Sequence, residues 1–453
     1  MVEHRPAWAI TALALSVALT APARARGTPE SDAGALVTAI TLDDVAGAKA
    51  ALAQGIDPNQ PIAFGATPLA LAVNSQNAGM VDLLLAHGAI PDAADIDGVS
   101  PLTLGCELGD PLIVAHLLDA KPDVTAARPD GATPLAICAR FGPAGAVARI
   151  LATGAAADTI DNRGQTPLMW AAAGGRDDAI ALLLRAGADP NRVSRGGFTP
   201  LFFAIKSGSA SAVQALLSAG AKADYRGPER TSAAQLAMYQ HNYRAAALFV
   251  ARGADLTERD RTGEQLLHAA AAAGDALLVA ALLPKGADPN ALTGPSTIKW
   301  VTEANFGVPP PPVPPTPPLL IAAANGRSPV MRLLVAAGAN PGFVAANGTT
   351  VLLAAARGGD AAALDLALRL APDVNVANAR GDTALHLLLG GGVQPGLQPM
   401  LAILAAHHAR TDLANKAGTT AAAMAEGGLT EVRAIFDSCI PTTKPVTIAA
   451  RGH

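Results

Sequence analysis

The sequence predicts an all-α fold: a solenoid of about twelve stacked helix–turn–helix units with one Pro-rich loop insertion. Three observations carry this. A 33-residue period relates Thr166–Ala188 (TPLMWAAAGGRDDAIALLLRAGA) to Thr199–Ala221 (TPLFFAIKSGSASAVQALLSAGA) and to Thr67–Ala89. Each period holds two short apolar helical patterns separated by Gly or a polar residue. Half of the 453 residues are apolar but only 3% are aromatic, less than the core of a globular enzyme this long would carry.

Unit starts fall at Gly34, Thr67, Ser100, Thr133, Thr166, Thr199, Ser232, Gln265, Pro317, Thr350, Thr383 and Thr420. The step is 33 as far as Gln265, then 52, 33, 33 and 37. Within a unit, the Thr or Ser hydroxyl caps the first helix, and Pro follows where a missing N–H costs nothing. The next Leu turns inward. A small pair such as Ala171-Ala172 or Ala354-Ala355 then lets neighbouring units approach closely. The second helix carries Leu183-Leu184, Leu216-Leu217 or Leu333-Leu334 near its end. Gly187, Gly220, Gly253 and Gly286 follow, where a helix C-terminus needs a left-handed residue. Asp-Pro-Asn (residues 57–59, 189–191 and 288–290) turns the chain toward the next unit. One helix pair cannot bury its apolar face alone, and stacking does so.

This pattern resembles the ankyrin repeat. Thr67-Pro68-Leu69, Thr133-Pro134-Leu135, Thr166-Pro167-Leu168 and Thr199-Pro200-Leu201 match the family's T-P-L segment, and His268 and His386 fall at its His position. Leu183–Asn191 and Leu282–Asn290 match the L-L-x-x-G-A-D-x-N segment. The match runs over about residues 34–440, with degenerate first and last units. Three units depart from it: Ser232 precedes Ala233, Gln265 precedes Leu266, and Thr350 precedes Val351. Their first helices are expected to be less firmly capped.

Residues 1–25 read as a secretory signal peptide: Arg5, the apolar run Ala7–Ala21, then small-x-small sites ending at Ala25. The run of 15 residues is short for a membrane span of about 20. The expected location is therefore periplasmic or secreted, with residues 26–440 as the solenoid and 441–453 as a flexible tail. Without residues 1–25 the balance is 31 basic against 36 acidic residues, which does not point to a nucleic-acid partner. Of three cysteines, Cys106 and Cys138 lie in the first helices of adjacent units. Helices stack about 8–10 Å apart and a disulfide wants Cα atoms about 4.4–6.8 Å apart, so two small buried thiols are expected. Cys439 is expected to be free.

The insertion lies within residues 291–318 and includes Trp300, Phe306 and a stiff Pro run over 309–318. A smaller interruption, Gly390–Pro399, reads as a lengthened helix–helix connection. No catalytic motif appears. His87, His116, His241, His407 and His408 are scattered, and His407-His408 has no metal-spaced ligand beside it. His268 and His386 are structural by resemblance, bonding between neighbouring loops. No metal, cofactor or enzymatic activity is expected.

In ankyrin proteins, partners contact the loop tips before each unit start and the exposed side of the first helix. Carried onto this sequence, those places give Arg140, Phe141, Arg163, Gln165, Arg195, Phe198, Lys206 and Tyr239 as protein-binding residues. Arg163 and Arg195 fall on neighbouring tips, and Arg140 and Lys206 at matching depth on adjoining first helices. Arg and aromatics are enriched at interface hot spots. Acidic tips at Asp97, Asp130, Glu229 and Glu264 flank them and suit a mixed partner surface. The expected function is a monomeric, non-catalytic scaffold for one or more proteins. An accessory or protective factor for a periplasmic enzyme, as in oxidative-stress defence, is the alternative. An enzyme built on the 291–318 loop is disfavoured, because that loop offers only Lys299 and Glu303 as charged groups.

Overall fold

Among the described residues, twelve helix pairs repeat along the chain, one for each unit read from the sequence. The computed structural model describes residues 29–296 and 314–440. The expected signal peptide, Trp300, Phe306, most of the Pro run and the tail from 441 lie outside the described residues. The described chain falls into two compact units, residues 1–123 and 124–453.

The first unit holds α1 (Pro29–Thr41), α2 (Val45–Ala53), α3 (Pro68–Asn74), α4 (Ala78–Ala86), α5 (Pro101–Leu108) and α6 (Pro111–Asp119). Its core includes Leu36, Ile40, Leu69, Leu84, Leu102 and Leu117, all at most 2% exposed. In the second unit, the pairs are α7 (Pro134–Phe141) with α8 (Ala144–Ala152), α9 (Pro167–Ala173) with α10 (Asp177–Arg185), and α11 (Pro200–Lys206) with α12 (Ala210–Ser218). They continue with α13 (Ala233–Tyr239), α14 (Tyr243–Ala251), α15 (Leu266–Ala273), α16 (Ala276–Leu282), α17 (Pro318–Ala324) and α18 (Ser328–Ala336). The last are α19 (Val351–Arg357), α20 (Ala361–Leu370), α21 (Ala384–Gly390), α22 (Leu397–Ala406), α23 (Ala421–Gly427) and α24 (Thr430–Cys439). Within each unit, first helices pack on first helices and second helices on second helices. No strand occurs among the described residues beyond an isolated bridge between Ala414 and Thr420.

The packing follows the sequence pattern. Leu168, Ala171, Ala172 and Leu183 are fully buried, as are Ala204 and Leu216 one repeat later. Gly187 and Gly220 close their helices at φ 89° and 88°. The Asp-Pro-Asn turn does more than reverse the chain. Asp189 Oδ1 accepts the Asn191 N–H at 2.8 Å. The Asn191 amide then donates to Gly220 O (3.0 Å) and accepts from Lys222 N (2.8 Å) in the next repeat. Asn290 bridges to Gly338 (2.9 Å) and Asn340 (2.7 Å) in the same way, across the insertion. The insertion therefore leaves the stack without breaking its register. Its neck is closed by Thr293 N on Thr316 O (3.1 Å) and Thr316 N on Thr293 Oγ1 (3.0 Å).

Capping differs from expectation. Ser232, without a following Pro, has a full capping box with Gln235. Thr350 Oγ1 accepts from Leu353 N at 3.4 Å. Gln265 starts a helix whose His268 Nδ1 accepts the Gln265 N–H at 3.2 Å. Thr199, which has the full Thr-Pro-Leu sequence, makes no such bond, and its buried hydroxyl has no partner. Thr67, Thr133 and Thr166, each followed by Pro, do accept the N–H of the third helical residue at 3.2 to 3.3 Å, so the following Pro neither makes nor breaks the cap, while Gln235 adds a reciprocal bond to the Ser232 N–H. The connection before α22 is also shorter than read, since Leu397, Gln398 and Pro399 are helical.

Cys106 and Cys138 are both disulfide-bonded, not the buried thiols expected. The 8–10 Å figure used for that expectation separates helix axes. Side chains that leave one helix toward another bring Cβ atoms well inside it, so axis spacing alone does not exclude a bridge. Cys439, at the end of α24, is free.

Candidate functional site: a hairpin-and-helix face on residues 140–206

Between repeats the chain forms tight hairpin tips, and a buried carboxylate builds the tip before α9. Asp161, 6% exposed, accepts the N–H groups of Arg163 and Gln165 at 2.8 Å each and the Trp170 Nε1–H at 3.1 Å. One side chain thus fixes both the turn and the orientation of the Trp on the following helix. The next tip docks directly on this one: Arg195 N donates to Arg163 O at 2.9 Å, and an Arg195 guanidinium N–H to Asn162 O at 2.7 Å. Gly164 permits that approach. It sits at φ +70°, and a Cβ there would lie 3.0 Å from both Arg195 N and Cγ. Arg163 and Arg195 are therefore adjacent on neighbouring tips, as expected, and both are exposed.

Phe198, 38% exposed, lies on the same tip as Arg195. Its ring packs on Phe202 (6.1 Å) and edge-on to Phe203 (6.3 Å), which anchors it without hiding it. On the helix side, the Arg140 guanidinium sits 4.9 Å from the Phe141 ring centroid and 5.6 Å from that of Trp170. Burial pulls the Arg140 pKa below its usual value, but an Arg keeps its charge at neutral pH. Arg176 donates to the carbonyls of Phe141 (3.2 Å) and Gly142 (2.7 Å), which holds the end of α7 and with it the Phe141 ring. Lys206 is exposed in the last turn of α11. Arg140 and Lys206 occupy the same place in their units, but their helices do not adjoin: α9 lies between them and carries Ala173 there.

Tyr239 belongs to a different cluster. Its hydroxyl accepts the Arg261 N–H at 2.6 Å, and the Arg261 guanidinium lies 5.9 Å from its ring centroid. Burial raises its pKa most, and the nearby Asp260 adds to the rise. Arg261 pairs in turn with Glu229, and Arg226 with Glu258. The sequence reading missed Trp170. The signal was available: the fifth residue of the unit is large in three successive repeats (Trp170, Phe203, Leu236), and all three are half-buried.

A second concavity, of about 380 Å³, opens beside the neck of the insertion. Ile321, Ala324 and Ala354 line its floor, with Glu264 and Arg357 at its polar margin. Burial, and then Asp260, push the Glu264 carboxyl above its usual range. His268 and His386 are structural, as the resemblance implied: Nε2 of each donates to a carbonyl in the next inter-repeat loop, Ala291 O (2.8 Å) and Thr419 O (3.0 Å). His407 and His408 are exposed. Among the described residues, no group of three metal-binding side chains converges, and no helix is long and apolar enough to cross a membrane.

The family model for ankyrin repeats (3 copies) matches residues 36–128, 106–194, 135–227, 201–293 and 319–412. The chain belongs to the ankyrin-repeat family. The matches stop at 293 and resume at 319, on either side of the insertion. Among solved structures, the chain is similar to the ankyrin repeat domain of Bcl-3, described as a unique member of the IkappaB protein family. That likeness has 26% identity and a TM-score of 0.38, over 45% of this chain and 92% of the other. No curated protein matches this chain. Ankyrin repeats are protein-interaction modules, typically without catalytic activity of their own.

Proposed function

We propose that this ankyrin-repeat protein is an exported, non-catalytic scaffold that grips a partner protein with the face around Trp170, Arg195 and Phe198. The observation that carries this reading is the coincidence of exposed rings with cations that have no counter-ion among the described residues. Among the described residues, no carboxylate lies within ion-pair distance of Arg140, Arg163, Arg195 or Lys206. Solvated cations between half-exposed aromatics are the residue types that dominate binding energy at interfaces. Export is supported by Arg5, the apolar run to Ala21 and the small-x-small sites up to Ala25. Two disulfide-bonded cysteines suit the same oxidising compartment, a bacterial periplasm on this reading.

Chemical crosslinking in periplasmic extract, followed by N-terminal sequencing of the captured chain, tests both parts. The chain is expected to start at about Arg26, and Arg195→Ala or Phe198→Ala to weaken the recovered partner by at least about 1 kcal/mol. A cytosolic chain with an intact Met1 would remove the compartment. Wild-type binding by both variants would move the contact face elsewhere.

A further inference from the structure

We propose that the face spanning residues 140–206 takes a short, extended, acidic peptide segment that carries one aromatic or large aliphatic anchor. This rests on the reading of that face as the partner surface and names the chemistry of what binds there.

Charge carries the first part. Arg163 and Arg195 are 32 residues apart, and the backbone bond between their tips puts two exposed cations on adjoining tips. The same 32-residue step elsewhere in the chain joins opposite charges, Arg226 to Glu258 and Glu229 to Arg261. The one acid a repeat before Arg163, Asp130, uses Oδ1 to accept the Ala132 N–H at 2.9 Å and forms no ion pair with it. Residues 133–231 hold eleven basic and seven acidic side chains in a chain whose net charge is −4. The positive surplus is thus local, and an anion from outside complements it.

The rings carry the second part. Trp170, Phe198 and Phe203 expose apolar faces between those cations, so a purely charged ligand would leave them uncovered. Geometry sets the size. Three first helices at about 8–10 Å spacing span roughly 20–30 Å, the length of about six to nine extended residues at about 3.3 Å each. In an extended segment alternate side chains face opposite ways. Carboxylates can then meet the tip guanidinium groups while the anchor turns to the rings. A nucleic acid fits less well, because the chain as a whole is acidic and the cations follow no continuous track.

The test is a selection of random peptides of about nine residues on the immobilised full chain, with fluorescein-labelled copies of the winners titrated by polarisation. Enrichment of Asp and Glu around a Phe, Trp or Leu is expected, with binding weakened about tenfold by high salt. Arg163→Glu with Arg195→Glu should weaken the winners at least about thirtyfold, and selection on that variant should return basic peptides. Arg185→Glu, on the exposed side of α10, should change nothing. Circular dichroism checks the fold, and Arg163→Gln with Arg195→Gln replaces the reversal if it does not fold. Acidic winners indifferent to both pairs of substitutions would overturn the proposal. So would neutral or basic winners from wild type; if these are lost on Phe203→Ala, the face still binds partners and only the acidic chemistry fails. An oligonucleotide that displaces the winners at equal concentration would reassign the face to a polyanion and overturn the peptide. Failure of wild type to enrich any peptide would overturn both this proposal and the binding-face reading.

Discussion

Two stretches of the same stack treat surface charge in opposite ways. Around Arg261, charges one repeat apart pair in place: Arg226 with Glu258, Glu229 with Arg261, and Tyr239 beneath the Arg261 guanidinium. Around Arg195, the same spacing brings Arg163 to Arg195, and the nearby rings remain open. Scaffold and period are common to both, while the Glu229 tip turns through a short 3-10 segment, Pro228–Arg230, where the tips of Arg163, Arg195 and Arg261 turn at a Gly. The difference shows that in this stack the residue one period away decides whether a surface charge is paired. On the proposed reading, a tip neutralised by its neighbour belongs to the fold, and a tip without such a neighbour is open to a partner.

The largest expected effect lies beneath the patch. Leu201 is 1% exposed, and Leu201→Ala should lower stability to chemical denaturation by about 2–5 kcal/mol. Phe198→Ala should cost far less, because its ring is partly in solvent. Equal losses would mean that Phe198 is core, and the contrast between ring and scaffold would fail.

A smaller effect concerns the insertion side. His268 Nε2 donates to Ala291 O while Nδ1 accepts the Gln265 N–H, an arrangement that requires the neutral ring. Burial lowers its pKa below 6.5, only partly opposed by the bond to Ala291. The unfolded imidazole then takes a proton before the native one as pH falls. Its contribution is full above pH 6.5 and declines as pH drops from there toward the lower native value. Urea midpoints between neutral and mildly acid pH should fall more steeply for wild type than for His268→Gln. Parallel curves would show that the ring carries no such linkage.

The fold was legible because stacking repeats one physical problem twelve times, so Leu168, Ala171 and Gly187 announce their roles by recurrence. The caps were less so. Thr199 and Ser232 look strong and weak in sequence, yet of the two only Ser232 is capped, with Gln235 returning a bond to the Ser232 N–H. The disulfide state of Cys106 and Cys138 was misread because axis spacing stood in for Cβ distance. At the face, the tips of Arg163 and Arg195 were readable from the period. Tyr239 could not be separated from them in sequence, because only the fold brings Arg261 to its hydroxyl, and Trp170 went unnoticed although one buried carboxylate orients it.

The smallest expected change tests the central claim most directly. Arg163→Gln and Arg261→Gln each remove one tip charge, and their stabilities can be compared by chemical denaturation at low salt. Arg261→Gln breaks the pair with Glu229 and should lose about 0.2–1 kcal/mol. Arg163 forms no ion pair among the described residues, so Arg163→Gln should hold wild-type stability to within a few tenths of a kcal/mol. If Arg163→Gln instead loses as much as Arg261→Gln, the Arg163 tip is part of the fold and the distinction between the two regions is wrong.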